Sequence, residues 1–178
     1  NKFLMKIILR FLFISLFFFF NNNVFSSENI VYLNFDYIIA ESKAGLSIDS
    51  QLQINHKKNL KKFTAIEKKL KEKEAKIISQ KAILEATEYN KKISNLQTEF
   101  VSYNNVRRET TEASSKLKIN GLKKLIDALN PILEEYSKKN SIDIIIRKKN
   151  IIMGKSELDI TMDILKLLDA KITKILIK

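Results

Sequence analysis

Residues 57–81 read KKNLKKFTAIEKKLKEKEAKIISQK, and they form the centre of a longer stretch, residues 46–120, that contains no glycine or proline. Apolar residues recur through this stretch every three or four positions, which is the spacing of one face of an α-helix. Because that face is narrow, it can cover one facing helix but cannot build a globular core. The stretch therefore predicts a long helix that packs against a second helix.

The second helix is predicted in the segment that follows. We place the chain reversal within residues 82–88 and expect helices over residues 46–83 and 86–136. Pro131 either kinks the second helix near Asp127 or begins a separate helix. The apolar stripe of the first helix comprises Leu52, Leu60, Phe63, Ile66, Leu70 and Ile77, and that of the second comprises Ile93, Leu96, Phe100, Tyr103, Val106, Ala113, Leu117, Leu122, Leu125, Leu129, Ile132 and Tyr136.

A short β-branched segment precedes the helices. Residues 30–35, IVYLNF, predict a strand whose more apolar face carries Val31, Leu33 and Phe35. Asp36 stands where a helix cap is expected. The helix that starts there is predicted to break or loosen at Gly45 after about two turns.

A second β-rich segment follows the helices. Residues 142–153 predict a β-hairpin that ends before Gly154, with Ile142, Ile144 and Ile146 on one face of its first strand. Three short strands leave exposed sheet edges, which favours assembly between chains. A last helix, capped by Asp159 or Thr161, is expected to cover one face of the sheet, and its apolar residues are Ile164, Leu165, Leu168, Ile172 and Ile175.

The first 26 residues have the layout of a secretory signal. Lys2, Lys6 and Arg10 precede an apolar run at residues 11–20, three asparagines end that run, and cleavage fits best after Ser26. The alternative is an uncleaved anchor helix. Because the segment holds three basic and no acidic residues, its removal would change the net charge from +12 to +9 (12 − 3).

The composition argues against several kinds of site. The chain has no cysteine, so it can form neither a disulfide nor a thiolate metal site. Its single histidine, His56, lies on a charged helix face without the neighbouring ligands that a metal needs. No phosphate loop, nucleophile elbow or dinucleotide fingerprint occurs. We therefore expect no enzymatic activity, cofactor or metal, and an exported basic protein is not expected to bind nucleic acid.

Lysines dominate the predicted first helix. Residues 57–81 hold ten lysines and three glutamates, a local excess of +7 (10 − 3). Such a surface keeps a coiled coil soluble, and it also attracts acidic unfolded polypeptides over a Debye length of about 8 Å. Both interpretations stay open. The candidate polypeptide-binding residues are Lys57, Lys58, Lys61, Lys62, Lys68, Lys69, Lys73, Lys76, Lys81, Lys91 and Lys92.

These elements predict an α+β fold that is mostly α. Its parts are a signal peptide at residues 1–26, a long antiparallel helical hairpin at residues 46–139, and a small β-rich body. The body combines residues 27–45 with residues 140–178, including the C-terminal helix.

In this order of elements the chain resembles the Skp/OmpH family of periplasmic chaperones for outer-membrane proteins. The matching segments are the opening strand with DYIIAES at 36–42, the charged hairpin, IDIII at 142–146, NII at 150–152 and LDITMDIL at 158–165. The resemblance implies a periplasmic homotrimer whose strands form one shared β-barrel. Its hairpins would extend as tentacles around a cavity and hold unfolded outer-membrane proteins without ATP.

The resemblance also implies roles for particular residues. Arg107 and Arg108 match an arginine pair of the family's lipopolysaccharide site, whereas Gln97 stands where a lysine is expected, so lipopolysaccharide or another anionic lipid is matched only in part. The oligomerisation residues would be Val31, Leu33, Phe35, Ile142, Ile144 and Ile146. The alternative function is a membrane-anchored coiled-coil stalk or adaptor of an envelope complex, which would keep the N-terminal helix and would not need the strands.

Overall fold

The structure is a computed structural model that describes residues 28–178. The predicted signal segment, residues 1–26, lies outside the described residues. No helix within the described part is long and apolar enough to cross a lipid bilayer. The elements follow in the order β1 (Ile30–Leu33), α1 (Phe35–Glu41), α2 (Lys43–Ser79), α3 (Ala86–Asn140), β2 (Ile144–Arg147), two 3-10 turns (Lys148–Asn150 and Ser156–Leu158) and α4 (Thr161–Lys171).

The helices α2 and α3 form the long hairpin that the apolar stripes predicted, and we call it the arm. Helix α2 has 37 residues and α3 has 55, so they are about 55 and 82 Å long at 1.5 Å per residue. The reversal occupies residues 80–85, slightly earlier than predicted, and α3 begins at Ala86. The turn contains no glycine or proline; it is built from short-range backbone bonds such as Lys81 N to Ile78 O at 3.2 Å.

The break before the arm lies at Ser42, so the prediction that the helix breaks or loosens at Gly45 was wrong. Ser42 has an extended backbone, and its Oγ accepts a hydrogen bond from the Gly45 N–H at 3.0 Å, which caps the start of α2. Gly45 lies in the first turn of α2, where a Cβ would come within 1.9 Å of the Ile39 carbonyl oxygen. The glycine therefore allows α1 and α2 to approach each other at this corner.

Helix α3 continues through Pro131, so the alternative of a separate helix was wrong. The proline leaves the Asp127 carbonyl without its helical donor. Both residues are exposed, so water can hydrate that carbonyl. The kink near Asp127 stays a prediction.

The sheet is a parallel pair, so the predicted hairpin at residues 142–153 was wrong. Strand β1 pairs with β2 in the register Ile30 to Ile144 and Leu33 to Arg147, whereas residues 151–153 form no strand. Strand β1 is also shorter than predicted, because Asn34 caps α1 through its Oδ1 at 3.1 Å from the Tyr37 N–H. Phe35 consequently begins a helix, and Asp36 is not the cap.

Two separate apolar clusters stabilise the described chain. The distal cluster, in the arm, comprises Leu70, Ile77, Leu96 and Tyr103 with partly buried neighbours. The body core joins the strands, α1, α4 and the root of the arm through Val31, Leu33, Ile38, Ala44, Ile48, Leu125, Leu129, Ile132, Ile160, Ile164, Leu168 and Ile175. Ile175 belongs to this core from an extended C-terminal segment, because α4 ends at Lys171 rather than continuing as predicted.

Candidate functional site

The distal cluster holds the two arm helices together near the reversal. Phe63 meets Tyr103 edge to face, with ring centroids 6.0 Å apart. The Tyr103 hydroxyl donates a hydrogen bond to Glu67, and this bond, with burial, raises the pKa of Tyr103. Leu60, which was predicted in the same stripe, is instead 56% exposed. Packing therefore begins at Phe63 and continues towards the reversal.

Between the distal cluster and the body core the arm has a polar interface, which we call the polar seam. Gly121 lies against Ile48 at the root, and Phe63 meets Tyr103 further out. The helix segments between these two contacts carry the half-buried polar residues Asn55, Asn59, Thr110 and Ser114. The asparagines bond to each other at 2.9 Å, and the two hydroxyls bond to carbonyls of α3. No residue is fully buried at positions 49–69 or 104–120. The two clusters are therefore not joined by continuous apolar packing.

The outer surface of the distal arm is basic. Ten of the eleven candidate lysines are exposed, and Lys92 is half-buried. Lys58, Lys62, Lys69 and Lys76 follow one another at steps of four and seven, which places them on one flank of α2 at 100° per residue. On this flank Lys73 bridges the two helices by an ion pair of 2.6 Å with Glu99. A surface depression of about 260 Å³ is lined there by Lys73, Lys76, Ile77, Gln80, Lys92, Asn95, Leu96 and Glu99.

Few of these lysines are neutralised within the described part of the chain. Lys68 pairs with Glu72 at 3.9 Å and Lys92 with Glu88 at 3.4 Å, both between successive turns of one helix. Exposed pairs of this kind contribute little to stability, roughly 0.2–1 kcal/mol. Lys57, Lys58, Lys61, Lys62, Lys69, Lys76, Lys81 and Lys91 make no ion pair with another described residue. The arm therefore presents positive charge that is free to meet acidic groups.

Apolar side chains interrupt this basic surface. Sequence reasoning did not single them out, because it assigned apolar residues to the stripe. The exposed ones on the arm are Leu46 (52%), Ile54 (64%), Leu60 (56%), Ile78 (58%), Ile83 (79%), Val101 (60%) and Ile119 (64%). The arm surface thus combines cations with isolated apolar groups over most of its length.

The arginine pair is divided between two environments. Arg107 lies 3.7 Å from Glu67, which partly neutralises it, whereas Arg108 is exposed with no carboxylate partner among the described residues. Gln97, which lies about ten residues before Arg107 on the same helix, is also exposed. His56 is exposed, and residues 28–178 contain no group of His, Cys, Asp or Glu that could hold a metal ion.

The predicted oligomerisation residues fall into two sets. Val31 and Leu33 are buried in the core of their own chain, and half-buried Phe35 lies under the Arg147 guanidinium at 4.7 Å. Ile144 is 45% exposed, and Ile142 and Ile146 are half-buried.

Two residues near β2 were missed as candidates because they were assigned to a strand. Ile152 and Met153 are 105% and 90% exposed, on the segment that follows the first 3-10 turn. Ile144, on β2 itself, is also exposed. A signal existed in the run of apolar residues after Asn150, but it was interpreted as a strand of the same chain.

The LDIT segment joins the strands to the last helix. The Ile160 N–H donates to the Tyr32 carbonyl at 3.0 Å, and the Asn34 N–H donates to Thr161 Oγ1 at 2.8 Å. Asp159 accepts the Thr161 N–H at 3.0 Å and pairs with Lys148 at 2.7 Å. Burial alone would raise the pKa of Asp159, but the bonds from Lys148 and Thr161 lower it below its usual value. The N-cap position of α4 is nevertheless Ile160, which has no side-chain capping bond, so the prediction of Asp159 or Thr161 as the cap was wrong. Asp159 lies one residue earlier, and Thr161 is the first residue of the helix.

Comparison with known proteins agrees with this architecture. The family model of OmpH-like outer membrane proteins matches residues 29–168, which is more than half of the chain. No curated protein matches the sequence. The crystal structure of an OmpH-like protein from Caulobacter crescentus CB15, provisionally described as an outer membrane chaperone, superposes with a TM-score of 0.79 at 12% identity, covering 85% of this chain and 89% of that one. At this identity the superposition establishes the fold, and the family match identifies the chain as a member of the OmpH-like outer membrane protein family.

Proposed function

We propose that this protein is an ATP-independent holdase that binds unfolded outer-membrane β-barrel proteins and prevents their aggregation. The observation that carries the proposal is the arm itself, a long hairpin whose surface is basic and dotted with exposed apolar side chains. The family membership supports the same class of function. The role is non-enzymatic, since holding a client requires mass action and no bond chemistry.

The arm would act through many weak contacts. Exposed lysines attract acidic segments of an unfolded chain, and single apolar residues such as Ile54, Ile83 and Val101 contact its apolar side chains. Each contact is small, because exposed charge pairs contribute roughly 0.2–1 kcal/mol. A folded client presents fewer flexible segments to such a surface, so binding favours the unfolded state.

The protein would work as a homotrimer. The LDIT segment bridges the outer edge of β1 at Tyr32, so the open edge of the two-stranded sheet is that of β2. A sheet of two strands is rarely stable on its own. Exposed Ile144, Ile152 and Met153 offer an apolar surface to a second and third copy. Three arms would then surround one cavity. Ile142 and Ile146 would extend this contact, whereas Val31 and Leu33 would support it from within each chain.

Compartment and lipid binding complete the proposal. Residues 1–26 would direct export to the periplasm, with cleavage near Ser26. Arg108 and the lysine flank would meet anionic lipid or lipopolysaccharide weakly, because Glu67 competes for Arg107.

The test is aggregation of a urea-denatured outer-membrane barrel protein on dilution, followed by light scattering. The mature chain should suppress the scattering without nucleotide, and failure to suppress it would refute the holdase proposal. In a second variant, Lys58, Lys62, Lys69 and Lys76 are changed to Gln. Suppressing the scattering to the same extent should then require at least about fourfold more protein, if each exposed contact contributes 0.2 kcal/mol or more. The matched control changes four exposed lysines outside the arm, Lys149, Lys155, Lys166 and Lys178, to Gln and should retain activity.

A further inference from the structure

The C-terminal segment, residues 172–178, is held against the root of the arm in an extended conformation. It follows α4, whose last residue is Lys171, and Ile172 has extended backbone angles of φ −140° and ψ 112°. The segment lies beyond residues 29–168, the part that the family model matches. We call it the tail, and we call the surface beneath it the root groove, which is formed by Ser47, Ile48, Gln51, Gly121 and Lys124.

Side chains of the root groove bind the tail through its backbone. Gln51 Nε2 donates to the Ile175 carbonyl at 2.7 Å, and Gln51 Oε1 accepts from the Ile177 N–H at 3.2 Å. Ser47 Oγ accepts from the Ile175 N–H at 2.9 Å, and Lys124 Nζ donates to the Leu176 carbonyl at 2.7 Å. Because every one of these bonds goes to a backbone group of the tail, any extended peptide offers the same partners.

The apolar part of the root groove accepts alternate residues. Ile175 is 8% exposed, Leu176 points out at 55% exposure, and Ile177 is again half-buried. Ile177 fits where Gly121 has no side chain: a Cβ there would lie 2.8 Å from Ile177 Cγ2. A period of two is that of an extended strand. It is also the pattern of outer-membrane β-barrel strands, in which apolar and polar residues alternate.

We propose that the root groove is a binding site for one extended strand of an unfolded client, and that the tail occupies it as an intramolecular competitor. The tail belongs to no helix or strand, so it can detach without unfolding another element. Because the tail is covalently linked to α4, its effective concentration at the root groove is high, so ligands that bind only the groove weakly are excluded. A long client that also binds the arm can displace the tail, because its two contacts reinforce each other. This inference rests on the proposed holdase function, because the ligand is a segment of the same client.

The first experiment measures binding of a fluorescent peptide with the tail's own sequence, ITKILIK, to the full mature chain by anisotropy. Ile175→Ser loosens the tail and leaves the root groove intact. It should tighten peptide binding by ~10-fold or more, since one buried isoleucine shifts the tail equilibrium by at least that factor. Methylating the peptide nitrogen that corresponds to Ile177 removes the hydrogen bond to Gln51, so the methylated peptide should not bind the Ile175→Ser variant more tightly than the wild type. Equal binding to the two proteins, or equal binding of the two peptides, would overturn the proposal.

The second experiment needs no variant. Hydrogen exchange of the Ile175 and Ile177 amides is followed in the wild-type chain with and without excess urea-diluted barrel client. The client should accelerate exchange at these two amides and leave Leu168, in α4, unchanged. If the client binds and suppresses aggregation but the tail amides stay protected, the root groove proposal fails while the holdase proposal stands. If the peptide binds but no client is held, the holdase proposal fails instead.

Discussion

Replacing Leu70 with Ala should open the distal arm while the body stays folded. Leu70 is 3% exposed and lies in the distal cluster with Ile77, Leu96 and Tyr103. A buried Leu→Ala change costs about 2–5 kcal/mol, which corresponds to a roughly 30- to 4,000-fold increase in the opening constant at 1.4 kcal/mol per tenfold. The polar seam at Asn55 and Asn59 separates this cluster from the body core, so the loss should be confined to the arm.

Hydrogen exchange measured by mass spectrometry checks this prediction segment by segment. Peptides from residues 63–103 should lose protection, and peptides from β1 and α4 should retain it. The matched control is Leu60→Ala, the same change on the same helix at a residue that is 56% exposed. It should cost about 1 kcal/mol or less, because little apolar area is lost. Equal loss of protection in arm and body would refute the separation of the two clusters, and equal effects of the two variants would refute the packing.

Three further outcomes are expected. Changing Ile144 and Ile146 to Asp should reduce the mass by light scattering to that of one chain, because unpaired carboxylates are costly in a shared sheet; an unchanged mass would exclude the shared barrel. The pKa of Asp159 lies below its usual 3.8, so its contribution to stability is present above about pH 4 and is lost as pH falls through the lowered value. The difference in melting temperature between the wild type and Asp159→Asn should therefore shrink in acid, and a constant difference would contradict this. Sequencing of the exported protein should begin at Ser27, whereas an intact N-terminal apolar run would favour the membrane-anchored stalk.

The arm was largely predictable because its signal is local and repeated. Helical spacing over dozens of residues averages out single exceptions, and α3 begins at Ala86 as expected. The polar seam was missed because Asn55 and Asn59 occupy stripe positions without apolar side chains. A search for apolar residues at helical spacing passes over polar residues at the interface. It also assigned Leu60 to the stripe, although that side chain is exposed.

The body was harder to predict because its contacts are distant in sequence. Ile30 pairs with Ile144, and nothing in either short segment shows that the pairing is parallel. A local β-hairpin at residues 142–153 was the simpler interpretation of two apolar runs around a polar turn. The tail was also missed, because Ile172 and Ile175 continue the helical spacing of α4 even though the helix ends at Lys171.

The small corrections at helix ends share one cause. Glycine often breaks a helix, but Gly45 lies within α2, where the absence of a side chain lets the Ile39 carbonyl come close. The break itself lies at Ser42. Pro131 likewise looks like a helix start, yet it is tolerated within α3 on the solvent side. In both places the tertiary environment decides between two uses of the same residue.

The central claim is that the basic arm holds unfolded outer-membrane proteins and releases folded ones. The most direct measurement is a fluorescence titration of the mature chain into one labelled barrel protein in two states, freshly diluted from urea and folded in detergent micelles. The proposal predicts saturable binding to the unfolded state, weakened by added salt, and no binding to the folded state. Equal binding to the two states, or none to the unfolded one, would contradict it.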